Sequence, residues 1–115
     1  MILLALGSSC SQRSDLRTNL CLITQHHDKV IPDITIYVKF NTDDFPGYDP
    51  PEQFDRVIVS DAQGKVCLSD FPLGHHWFVG IGYDEEIREQ VIGNIDLYFD
   101  LRNLSAEAIL YVGEE

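Results

Sequence analysis

Apolar and polar residues alternate most cleanly from Ile34 to Phe40. Ile34, Ile36, Val38 and Phe40 fall on one face and Thr35, Tyr37 and Lys39 on the other. A repeat of two is the period of a half-buried strand, and Pro32 suits its entrance rather than its interior. Leu20–Ile23 is a shorter apolar run before it, and the polar stretch Gln25–Lys29 between them is expected to be a turn. Val57–Val59 leads through Asp61-Ala62-Gln63-Gly64 into Lys65–Leu68. Gly64 stands where a positive φ is easily adopted, so this segment predicts a hairpin. Phe71-Pro72-Leu73-Gly74 turns the chain again, into a run of aromatic and β-branched residues from His75 to Tyr83. Phe54 to Asp84 therefore reads as three antiparallel strands joined by tight turns.

Asp84–Gln90 is expected to form a turn of helix, and Val91-Ile92, Ile95–Phe99 and Ala108–Val112 supply the remaining strands. Asn41–Gln53 contains Pro46-Gly47 and Pro50-Pro51, which deny it both helical and ladder hydrogen bonds, so it is a long loop. Six or seven strands with no long amphipathic helix predict an all-β fold, an approximately seven-stranded antiparallel Greek-key sandwich.

The ordered segments Lys29–Val38, Asp61–Leu68 and Phe71–His76 resemble carboxypeptidase regulatory-like domains, which are transthyretin-like, Ig-like sandwiches. The shared order is a strand after a Pro, a D-x-x-G turn with apolar residues two and four after the Gly, and an L-P-x-G turn before an aromatic strand. Phe71 stands where Leu is usual. Phe45–Asp49 and Gly80–Asp84 are also similar to segments of small bacterial envelope lipoproteins with this fold. The resemblance spans about residues 20 to 115 and implies that Val66 and Leu68 point inward, that Cys67 lies on the outer face and that His76 takes an aromatic core position. One transthyretin-like group hydrolyses 5-hydroxyisourate with His and Arg residues and a Tyr-Arg-Gly-Ser ending. Here the corresponding residues are Tyr111-Val112-Gly113-Glu114, so a guanidinium is missing and a carboxylate replaces the hydroxyl. No Ser-His-Asp order or nucleophile elbow stands out, and no enzymatic activity is expected.

Near the start, apolar Ile2–Leu6 is followed by Gly7-Ser8-Ser9, then Cys10 and a polar run. This order resembles the end of a bacterial lipoprotein signal peptide, in which small residues precede a cysteine that is lipidated. It implies a partial signal segment over 1–9, lipid attachment at Cys10, a tether over 10–19 and a sandwich over 20–115. Diacylation of Cys10 would meet the two-chain requirement for stable anchoring, placing the domain in the cell envelope, at the outer membrane. The other reading makes 2–6 a first strand and Cys10 an ordinary thiol.

The chain of 115 residues carries 8 basic and 19 acidic side chains, a formal charge of −11. That charge repels phosphate backbones, so nucleic acid is not an expected partner. A membrane reached through the anchor and an envelope protein are the expected partners of a monomeric domain.

His26-His27 and His75-His76 invite a metal hypothesis, but neighbours on a strand point to opposite faces, and the spacing fits no zinc site. Asp43, Asp44, Asp49 and Asp55 match no calcium-loop pattern. No metal or other cofactor is therefore expected. Phe45, Tyr48, Asp49 and Phe54 are the candidate contact loop. Cys21 and Cys67 could bridge outside the cytoplasm, but a bridge needs Cα atoms within about 7 Å. Free thiols are the favoured expectation. The function expected is a non-enzymatic envelope lipoprotein with a binding or structural accessory role. The alternatives are a ligand-binding, metal-binding or catalytic protein using the 41–55 loop or the His pairs, and a surface-fibre subunit.

Overall fold

The computed structural model describes residues 17–48 and 53–114. Cys10, Asp49, the signal segment and most of the tether lie outside them.

The described chain forms nine strands: β1 (Asn19–His26), β2 (Lys29–Val30), β3 (Thr35–Lys39), β4 (Arg56–Val59), β5 (Lys65–Ser69), β6 (Gly74–Asp84), β7 (Glu89–Phe99), β8 (Ser105–Tyr111) and β9 (Gly113–Glu114). They build two sheets. In the first, β1 is central, with β5 and β2 antiparallel to it and β8 parallel to it. In the second the order is β4-β3-β6-β7-β9, antiparallel throughout.

Alternation decides which side chains meet between the sheets. Leu20 and Leu22 of β1, Val66 and Leu68 of β5 and Leu110 of β8 face Ile36, Val38, Phe78, Val91 and Phe99 of the other sheet, and all are buried in one apolar cluster. The expected inward set of β3 is observed, with Ile34, Ile36 and Val38 fully buried and Phe40 partly so. Thr18 pins the entrance of β1, because its hydroxyl donates to the Phe71 carbonyl at 2.6 Å and accepts the Phe71 N–H at 2.8 Å.

Several sequence expectations are corrected. The segments on either side of Gly64 do not form a hairpin: β4 pairs with β3 and β5 pairs with β1, so the chain crosses between sheets there. Gly64 does take the expected positive φ of 73°, but its carbonyl accepts the Thr24 N–H at 2.8 Å, which draws the chain to β1. The stretch from Phe54 to Asp84 accordingly holds three strands that do not pair with one another.

Gln25–Lys29 is not all turn. β1 continues to His26, and only His27 and Asp28 link it to β2, at φ 52° and 67°. Positive φ at both central residues is the signature of a type I′ hairpin. Asp84–Gln90 forms no helix. β6 and β7 are a hairpin paired along eleven residues, from Gly74↔Phe99 to Asp84↔Glu89, so Val91 and Phe99 belong to one continuous strand. The parallel β1–β8 pair departs from the wholly antiparallel expectation.

Candidate functional site

The inward parity of β1 carries Leu20, Leu22, Thr24 and finally His26. At the end of the sandwich His26 meets the β6–β7 turn and β9. Its Nδ1 lies 2.7 Å from Asp84 Oδ2 and its Nε2 3.2 Å from Glu114 Oε1, with only 3% of the side chain exposed. The other Asp84 oxygen accepts the Glu86 N–H at 2.9 Å, so one carboxylate fixes both the turn and the imidazole. The hydrogen bond to Asp84 is the main cause raising the His26 pKa, against the opposing effect of burial, and Glu114 adds to it. Asp84 is lowered chiefly by the same bond. Glu114 is lowered by a backbone hydrogen bond first and by His26 second. The arrangement sets an imidazole between two carboxylates, which favours its protonated form. At the rim, Lys29 pairs with Glu86.

The expectation that neighbouring histidines point apart fails here. His27 sits in the turn rather than on the strand, and the His26 and His27 ring centroids are 4.0 Å apart. It holds for the other pair, which lies within β6. His75 points outward, with Nδ1 2.8 Å from Asp43 Oδ1 and Nε2 2.8 Å from Asp96 Oδ2. These bonds raise its pKa, Asp43 contributing most. His76 points inward and is fully buried, as the resemblance implied. Its Nδ1 accepts the Asn41 N–H at 3.0 Å and its Nε2 donates to the Pro72 carbonyl at 2.6 Å, and its ring packs beside Phe40, Phe71 and Phe99. That makes it a core side chain.

The candidate contact loop is only partly brought together. Phe45 packs edge-on against Tyr48 and at a tilt against Trp77 of β6, each at 5.3 Å between centroids, and the Tyr48 hydroxyl accepts a hydrogen bond from Asn94 Nδ2 at 2.8 Å. Phe54 packs separately, 5.4 Å from Tyr37. Phe45 and Tyr48 lie over the outer face of the second sheet through Trp77 and Asn94, on the side of Val79, a residue whose parity faces away from the core yet which is fully buried. Phe45 remains 42% exposed. Trp77, which the sequence reading left out of the loop cluster, anchors it.

Cys21 and Cys67 are bridged, contrary to the expectation of free thiols. They are register partners across β1 and β5, with Cα atoms 4.1 Å apart and an S–S distance of 2.06 Å. Cys67 does lie on the outer face as implied. Cys21 lies on the same face directly opposite, between inward-pointing Leu20 and Leu22.

No protein-family model matches the chain, and no curated protein matches it. Among solved structures it is similar to the major pilin subunit BcpA of Bacillus cereus, with a TM-score of 0.60 and 12% identity over 86% of this chain. A point variant of that pilin superposes with a TM-score of 0.58 at 12% identity over 84% of this chain. The chain spans about 30% of the length of either pilin. At this identity the likeness establishes a shared β-sandwich fold.

Proposed function

We propose that this protein is a non-enzymatic structural or binding module of the cell envelope, working in an oxidising compartment at the cell surface. The Cys21–Cys67 bridge carries the reading. A cross-strand disulfide exposed on an outer sheet face persists where thiols are not kept reduced. The acidic surface, the resemblance to carboxypeptidase regulatory-like domains of envelope lipoproteins and the fold shared with a pilin subunit support the same placement. A lipid on Cys10 is the proposed anchor. Two of the histidines also favour a structural role, since His76 is built into the core and His75 is held by two carboxylates.

The test is maleimide labelling of the protein in intact cells and after lysis under denaturing, non-reducing conditions. Cys21 and Cys67 are expected to stay unlabelled until reductant is added. Prompt labelling of both without reductant would place the domain in a reducing compartment and end the reading. Palmitate incorporation that persists in a Cys10→Ala variant would refute the anchor alone.

A second reading, a surface-fibre subunit, is favoured by the pilin fold and by the open edge of β4, where Val57 and Val59 are exposed. An edge strand can accept a partner strand. Concentration-dependent oligomers of the purified protein are its expected sign, and a monomer at every concentration would exclude self-assembly.

A further inference from the structure

We propose that His26, His27 and Glu114 form a binding site for a first-row divalent transition ion, zinc or copper(II), with Asp84 orienting His26 from behind. One ligand atom from each of the three residues lies within 4.8 Å of the others. His26 Nε2 is 3.2 Å from Glu114 Oε1, and His27 Nε2 is 3.8 Å from Glu114 Oε2. In a tetrahedral site with bonds of about 2.0 Å, neighbouring ligand atoms are about 3.3 Å apart. The His26–Glu114 separation therefore already matches one edge. The remaining closure falls to the exposed side chains of His27 and Glu114, which move at little cost.

The backbone explains why adjacent histidines can serve one ion. His27 leaves the strand alternation at φ 52°, which brings its ring alongside that of His26. The third ligand is fixed by β9, whose approach is held by the Val112 N–H donating to the Gln25 carbonyl at 2.9 Å. With an ion on Nε2 of His26, the other ring nitrogen, Nδ1, lies 2.7 Å from Asp84 Oδ2, placed to donate its N–H there. A metal-bound imidazole backed by a carboxylate on its other nitrogen is a recurrent second layer of metal sites.

Donor chemistry selects the ion. Two imidazoles and a carboxylate suit zinc or copper(II), whereas calcium and magnesium favour oxygen donors alone. Three protein ligands leave a fourth position for water or for a donor group from a partner.

The test uses the full chain freed of metal, titrated with zinc and with copper(II) by calorimetry and followed by thermal unfolding, with magnesium as the hard-ion control. One zinc per chain and a raised Tm are expected, because an ion that binds the native state stabilises it. His27→Ala and Glu114→Gln are each expected to lose about tenfold or more in affinity. The His27 side chain is 72% exposed, and the affinity of each variant is read against that variant's own metal-free Tm. His75→Gln is expected to bind as the wild type does. Absence of zinc and copper binding by the wild type, unchanged affinity in the His27 and Glu114 variants, or a loss confined to His75→Gln would each overturn the site.

Discussion

Cys21 and Cys67 face one another across β1 and β5 on the outer side of their sheet, and their bond closes a loop of 46 residues. Within that loop lie β2, β3 and β4, two of which belong to the other sheet. The bridge therefore ties the sandwich together through chain connectivity as well as across one ladder. Restricting the unfolded chain over this span is worth about 4 kcal/mol in the chain-entropy account. The Cys21→Ser, Cys67→Ser double variant is expected to lose stability on that scale, measured as a lower urea midpoint, with reductant producing the same loss in the wild type.

The His75 contacts make a pH prediction. Asp43 and Asp96 raise its folded pKa above the ordinary 6.5. The folded state thus holds this proton more tightly than the unfolded chain does. The stabilisation is in full force below the ordinary value and is lost as pH rises through the raised one. The Tm advantage of wild type over His75→Gln is expected to be larger at about pH 5.5 than at about pH 9. It shrinks with added salt, because both carboxylates are solvent-exposed.

Gly93 and Gly113 form a matched pair. A Cβ on Gly93 would sit 2.0 Å from the Tyr111 carbonyl oxygen, a backbone atom that cannot yield without moving β8. Among the described residues, Gly113 has nothing within 4 Å of the same position. Gly93→Ala is expected to cost about 2 kcal/mol or more, and Gly113→Ala less than about 0.5 kcal/mol, as measured by urea denaturation.

Phe45 shields Trp77, the single tryptophan of the chain. Phe45→Ala is expected to shift Trp77 emission to the red, reporting entry of water under the loop. The loss of a partly exposed aromatic contact costs about 1 kcal/mol, so the unfolding midpoint falls only modestly. An unshifted spectrum would mean that the loop does not cover the indole in solution.

The facing of side chains was legible in the sequence, and the pairing of strands was not. Alternation places Ile34, Ile36 and Val38 correctly because burial of one sheet face imposes it. The same alternation is silent on which strand lies alongside, so β4 and β5 read as a hairpin although they belong to different sheets. The disulfide was hidden for the same reason, since it depends on the register that sets Cys21 against Cys67. His26 was hidden by composition. It stands among polar residues, and its inward position follows only once β1 is counted on from Leu20 through Leu22 and Thr24. The turn that frees His27 lacks the Asn-Gly pair that usually announces a type I′ hairpin. Asp84–Gln90 is rich in helix formers, but local propensity yields to the long ladder of β6 and β7.

The parallel pairing of β1 with β8 has a mechanical consequence. The two strands run in the same direction over seven registered pairs, from Asn19↔Ser105 to Gln25↔Tyr111. A pull on the chain before β1 and after β8 first peels off the two-residue β9 and then slides these strands lengthwise against each other. The hydrogen bonds between them bear that load together in shear, whereas an antiparallel pair drawn apart from one end would unzip bond by bond. A domain held at one end and tugged at the other is built in the sense that resists tension.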